Sequence, residues 1–260
     1  MIEKHRLLIV VNTFNDLDTI KVTLPSVVAD AAPHSAKVVI HDCSTTNREE
    51  IWRWLSTFAE ESKAFLILSS RLSLGDARNM AVTTGINLFF PDYICVIEDD
   101  HGFKPGMTQA LLHAMESHYG RKAPNGMLFG LFSGCPHCWE PPFHTVPLDE
   151  HDSLPAPEVE PFQLGGANSC FRAAPTAHWQ NVLKGYDSDE YMISYWQTKN
   201  LNLRNYNNGF TTRYVGNGDL IFRVERIGQG STQIADRRAW DPNFAKSDPR
   251  SNFYGKPLRG

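Results

Sequence analysis

Three consecutive carboxylates, Glu98, Asp99 and Asp100, follow directly on the apolar run Tyr93-Ile-Cys-Val-Ile97. Such a run reads as a buried strand, and anions gathered at its C-terminal end are costly unless cations or hydrogen-bond donors compensate them. A hard divalent metal carrying a diphosphate is the commonest guest of such a cluster, which makes the triplet a candidate metal and phosphate centre. The same residues also read as an ordinary solvated acidic turn. His101 comes next, as a metal ligand, a group supporting the ligands or a structural hydrogen-bonding residue. Further on, Asp187-Ser-Asp-Glu190 opens a helical stretch, where acids in the first turn suit the macrodipole.

The elements that must position these groups alternate regularly. Leu7-Leu-Ile-Val-Val11 and Lys37-Val-Val-Ile-His41 are continuous apolar, β-branched runs of the kind found in central parallel strands. Between them Leu17, Ile20, Leu24, Val27 and Val28 recur at helical spacing, with Pro25 expected to kink or break the helix. Thr46, followed three residues later by Glu49, resembles a capping box ahead of the apolar face Ile51, Trp52, Leu55 and Phe58. A short strand at Phe65–Leu68, a helix from about Gly75 to Phe90 and the strand before Glu98 complete the series. The pattern predicts an α/β fold, an open, mainly parallel sheet with helices on both faces, whose ligands bind at the C-terminal ends of the strands. Pro105 opens a further helix with Met107, Leu111, Leu112 and Met115 inward, Gly126–Phe132 reads as a buried strand, and Thr176–Leu183 looks helical. Residues 133–161 are proline-rich and read as a long functional loop or insertion.

At 260 residues, 42% hydrophobic and with a net charge of −4, the chain is expected to be one catalytic-sized domain, 1–260, with a first half, 1–101, and a second half, 102–260, that carries the proline-rich loop. Its charge leaves no footprint for nucleic acid. No apolar stretch approaches the roughly 20 residues of a membrane helix, so stable membrane insertion is not expected. Five cysteines without a secretory signal point to free thiols and the cytoplasm. Cys135-Pro-His-Cys138, with His144 nearby, supplies one Cys pair where structural zinc usually takes two, and it lacks the strand-to-helix setting of a redox motif.

Four segments, Ile9-Val-Val-Asn-Thr-Phe-Asn-Asp16, Asp42-Cys-Ser-Thr45, Gly75-Asp-Ala-Arg-Asn79 and Tyr93–Gly106, together resemble in order and spacing the family 2 glycosyltransferases of the GT-A fold. The family shows a Pro-Thr-Tyr-Asn loop, an Asp-Asp-Gly-Ser loop, an Ala-Arg-Asn helix start and an Asp-x-Asp motif ahead of Pro-Gly. The resemblance covers about residues 6–106 well and the rest loosely. It implies transfer of a sugar from a nucleotide-diphosphate donor to a hydroxyl of a glycan or another acceptor, with inversion and with Mn2+ or Mg2+ as cofactor. It implies donor contacts at Thr13, Asn15, Asp42, Arg78, Asn79, Glu98 and Asp99, and a metal ligand at Asp100, beside which His101 stands as a second candidate ligand. Gly165, Gly166 and Asn168 match the glycine-containing segment beside the acceptor, and the Cys135–Cys138 region reads as an acceptor-side loop. Asp189 is the implied base and Glu190 its alternate. Arg226 stands where many relatives carry a histidine ligand, so a guanidinium there would take over part of the metal's role. A sugar nucleotidyltransferase is the enzymatic alternative, although Asn12-Thr-Phe-Asn15 replaces the glycine-rich loop it needs. A catalytically silent nucleotide-sugar or glycan-binding module is the other.

Overall fold

The computed structural model describes residues 5–119, 125–131, 171–186, 201, 204–205, 208, 210–216 and 220–224. All of them belong to one compact unit, Met1–Glu225. Its first part alternates β1 (Leu7–Thr13), α1 (Leu17–Ala31), β2 (Ala36–Asp42), α2 (Arg48–Ser62), β3 (Phe65–Leu68), α3 (Leu74–Phe89) and β4 (Tyr93–Glu98). There follow β5 (His101–Phe103), α4 (Met107–Tyr119), β6 (Asn125–Leu131), β7 (Phe171–Pro175), and α5 (Thr176–His178), which continues as a π turn over Trp179–Leu183. β8 (Thr211–Gly216) and β9 (Ile221–Arg223) come last.

Seven strands form one sheet in the order β3-β2-β1-β4-β7-β6-β8. β3, β2, β1 and β4 run parallel, as the apolar runs predict; β7 lies antiparallel between β4 and β6, and β8 is parallel to β6. β5 and β9 make a separate antiparallel ribbon. Strand alternation sends Leu8, Val10, Val39, Ile94 and Val96 to one face, against Ala81 and Val82 of α3, Trp179 and Leu183. Leu7, Ile9, Val11, Ile40, Cys95 and Ile97 go to the other, against Ile20 and Leu24 of α1, Ile51 and Leu55 of α2, and Leu111 and Met115 of α4. Each fully buried aliphatic side chain contributes about 1.5–3 kcal/mol. α3 packs closely because Gly85 has no side chain: a Cβ there would meet Leu8 Cδ2 at 2.4 Å.

Two local expectations are corrected. α1 runs unbroken through Pro25. Pro25 is exposed, so the carbonyl left without its helical N–H lies on the solvent side. The Thr46–Glu49 capping box does not form: α2 is preceded by Asn47 in the left-handed conformation, φ 49°, with no side-chain cap. The Thr46 N–H instead donates to Asn15 Oδ1 at 2.9 Å.

α1 also carries a polar stripe that fixes the chain beyond β4. Thr23 Oγ1 donates to the Asp99 carbonyl at 2.7 Å, and Ser26 Oγ accepts from Phe103 N–H at 3.1 Å. Asp30 accepts from Gly106 N–H at 2.7 Å and from Thr108 N–H at 2.6 Å, so it caps α4 from a neighbouring helix. Among the described residues no helix is long and apolar enough to cross a membrane.

Candidate functional site

The loops after β1 and β2 are held by side chains. The register places Thr13 beside Asp42, and Asn12 between His41 and Glu98. Asp42 is fully buried. Its Oδ2 accepts from Thr13 Oγ1 at 2.6 Å and Ser44 Oγ at 2.7 Å; its Oδ1 accepts from Ser44 N–H at 3.0 Å and Trp52 Nε1 at 2.8 Å. Two donors on each oxygen use the acceptor capacity of a carboxylate. Asn15, at φ 55°, staples one loop to the other: Oδ1 accepts from Thr45 and Thr46 N–H at 2.7 and 2.9 Å, and its own N–H donates to Ser44 Oγ at 2.8 Å. Burial holds the His41 imidazole below its ordinary pKa against the opposing pull of Asp42, so it is neutral. With the proton on Nε2, Nδ1 accepts from Asn12 Nδ2 at 3.0 Å and Nε2 donates to Ser69 Oγ at 2.9 Å.

On the α3 face, Glu98 closes β4 in a cluster of opposite charge. Arg78 Nη2 donates to Glu98 Oε1 and Oε2 at 2.7 and 2.8 Å, and Arg172 Nη1 donates to Oε1 at 2.5 Å. Both arginines are 1% exposed. Burial pushes the Glu98 carboxyl up, but the two guanidinium groups outweigh it and bring the pKa down to about 2. Burial also weighs against the charge on Arg172, and Glu98 more than restores it. The Arg78 guanidinium lies 4.9 Å from the centre of the buried Tyr186 ring, a cation–π contact. Asn79 fixes Tyr186 by a paired amide contact: its Nδ2 donates to the Tyr186 carbonyl and its Oδ1 accepts the Tyr186 N–H, each at 2.7 Å. Gly185, at φ 78°, makes room, since a Cβ there would sit 2.6 Å from Asn79 Oδ1.

The turn beyond Glu98 meets the β5–β9 ribbon. Asp99 and Asp100 are each 7% exposed. Asp100 Oδ1 lies 2.7 Å from His101 Nδ1, and Oδ2 accepts from Arg223 Nε at 3.0 Å. Among the described residues no three His, Cys, Asp or Glu side chains are grouped to hold a metal ion. The described residues do not by themselves make up a Mn2+ or Mg2+ site, and the second oxygen of Asp100 faces a guanidinium, which has no lone pair to donate.

Thr13, Asn15, Asp42, Arg78, Asn79, Glu98, Asp99, Asp100 and His101 are thus gathered at or beside the C-terminal ends of β1, β2 and β4. Asp189, Glu190, Arg226, Gly165, Gly166, Asn168 and the Cys135–Cys138 pair lie outside the described residues. Sequence reading passes over Arg172, Tyr186 and Arg223, and gives Trp52 only a place on an apolar helix face, where its Nε1 in fact donates to Asp42. One signal for Arg172 is present: a lone cation within Phe171-Arg-Ala-Ala-Pro175 needs a buried carboxylate, and Glu98 needs a cation.

No family model matches the chain, and no curated protein matches it in sequence. Its structure is similar to that of TarS from S. aureus, with TM-score 0.62 and 14% identity over 85% of this chain and 37% of that one. It is also similar to TarS residues 1–349 in complex with UDP-GlcNAc, with TM-score 0.58 and 14% identity over 86% of this chain and 60% of that one. A third similar structure is the mannosyltransferase PcManGT from Pyrobaculum calidifontis in complex with GDP-Man and Mn2+, with TM-score 0.55 and 13% identity over 83% of this chain and 56% of that one. The chain thus shares the fold of these structures and spans between 37% and 60% of their length.

Proposed function

We propose that this chain is a glycosyltransferase moving a sugar from a nucleoside-diphosphate donor to a hydroxyl of a glycan or another acceptor, with inversion at the anomeric carbon. The observation that carries the reading is the convergence, at the ligand-binding edge of a sheet with this fold, of two side-chain-stapled loops and an acidic turn whose Asp100 faces Arg223. In this proposal Thr13, Asn15 and Asp42 shape the nucleoside side chiefly by fixing the backbone of residues 43–46. Arg78 and Glu98 set the charge beneath the diphosphate, and Arg226 contacts it. Gly165, Gly166 and Asn168 border the acceptor.

Asp189, or Glu190 in its stead, takes the proton of the acceptor hydroxyl as its oxygen attacks the anomeric carbon. The bond from that carbon to the diphosphate oxygen breaks, and its electron pair leaves on the diphosphate. A general base of this kind contributes about 10²- to 10⁴-fold. Asn79 supports it by anchoring Tyr186, immediately before the acidic segment. Mn2+ or Mg2+ taking Oδ2 of Asp100 would displace Arg223 from it. The buried free thiols Cys43 and Cys95 suit a reducing compartment such as the cytoplasm.

The test is a thermal-shift panel of UDP-, GDP-, CMP- and dTDP-sugars with the full chain, since a ligand that binds only the native state raises its apparent stability. One nucleotide class should raise the transition temperature and be released as free nucleotide when acceptors are supplied. Shifts without release across many acceptors would mark a binding module instead, and no shift from any donor would overturn the reading.

A further inference from the structure

We infer that Arg223 is the built-in counter-cation of the donor's diphosphate, so that Arg223 and a divalent ion compete for Asp100. The inference rests on the nucleoside-diphosphate reading above and adds the group that meets the charge. Asp100 is nearly buried, and a buried carboxylate needs a partner; Arg223 Nε supplies one at 3.0 Å. The pairing is fixed by the backbone. Register sets His101 opposite Arg223 and Phe103 opposite Ile221. Val224 N–H donates to the Asp100 carbonyl at 2.9 Å, and Lys104 N–H to the Leu220 carbonyl at 2.8 Å.

Gly102 locks the ribbon onto α1. A Cβ there would stand 2.2 Å from the Phe222 ring and 2.6 Å from Ser26 Oγ, so any larger residue would have to push these side chains aside. Arg223 is therefore delivered to Asp100 by a built ribbon and not by a wandering side chain. Yet 46% of its side chain stays exposed, unlike the two arginines on Glu98. A guanidinium is a planar fork of donors that matches phosphate oxygens, and the exposed part of this one can be reached by a ligand. A diphosphate arriving at the C-terminal end of β4 meets a cation already held in place by a carboxylate.

The experiment measures UDP and GDP affinity by calorimetry in EDTA and in Mn2+, and Mn2+ binding by the electron spin resonance of the free aquo ion. It compares the full chain with its Arg223→Gln and Asp100→Asn variants. The wild-type chain should bind one diphosphate in EDTA. Arg223→Gln should bind it about tenfold or more weakly there, the loss expected of a charge-assisted hydrogen bond. The same variant should bind Mn2+ more tightly than wild type because Asp100 no longer faces a guanidinium, and Asp100→Asn should not. Equal diphosphate affinity of wild type and Arg223→Gln in EDTA, or unchanged Mn2+ binding, overturns the inference. A wild-type chain that binds only with Mn2+ overturns it while leaving the transferase reading intact. Binding of neither diphosphate under either condition removes both.

Discussion

Asp42 and Glu98 are acidic residues at the ends of neighbouring parallel strands, and their partners give them different work. Asp42 takes four neutral hydrogen bonds and acts as a knot between the loops that follow β1 and β2. Glu98 takes two guanidinium groups and is held as their shared anion. Its carboxyl has a pKa of about 2 in the folded chain against 4.5 ordinarily. A folded-state pKa below the unfolded one adds stability that is fully present above pH 4.5 and is lost as the pH falls toward about 2. The difference corresponds to something on the order of 3 kcal/mol. Glu98→Gln should therefore be less stable than wild type by about 3–5 kcal/mol at neutral pH, because two buried cations lose their anion. Urea denaturation at pH 6 and pH 3 would check this: the wild type should lose more stability between the two than the variant does. Equal losses would show that Glu98 is not held ionised by its arginines.

At the scale of elements, α3 does more than cover the sheet. Arg78 and Asn79 lie side by side in its second turn, yet one faces Glu98 and the other grips the backbone of Tyr186. Replacing Asn79 by Leu removes both amide contacts and leaves the Tyr186 N–H and carbonyl without them. The expected loss is about 1–3 kcal/mol. The more telling readout is local: hydrogen exchange at Tyr186 should quicken well beyond the change at Val10 and Val96, whereas a uniform change would mean only general destabilisation. Elements differ sharply in how far their sequence announces them. β1, β2 and β4 are legible because strands buried on both faces are unbroken apolar runs, and Pro25 does not end α1 because its effect depends on which side of the helix it faces. β5 and β9 are three residues each and gain their form by pairing with one another, which no local pattern displays.

For the molecule as a whole, the legible part of the site is the part near in sequence to the parallel strands: Thr13, Asn15, Asp42, Arg78, Asn79 and Glu98–His101 come together because the βα units place successive strand ends side by side. The partners that decide their charge state come from afar. Arg172 is separated from Glu98 by 74 residues and Arg223 from Asp100 by 123, so their roles depend on tertiary pairing. The antiparallel insertion of β7 between β4 and β6 also has a consequence for the newborn chain on the ribosome. At synthesis rates of about 5–20 residues per second, β4 waits roughly 4–15 s for its neighbour. Throughout that interval its outer edge lacks the strand that pairs with it in the folded chain, an invitation to pair with another chain, and Glu98 is without Arg172. Ribosome-stalled chains of increasing length should gain protease resistance across β1 to β4 only once Pro175 has left the exit tunnel; resistance well before that would show a first half that stands unaided. The last strand to enter the middle of the sheet thus acts as its keystone, and the growing chain needs shelter until it arrives.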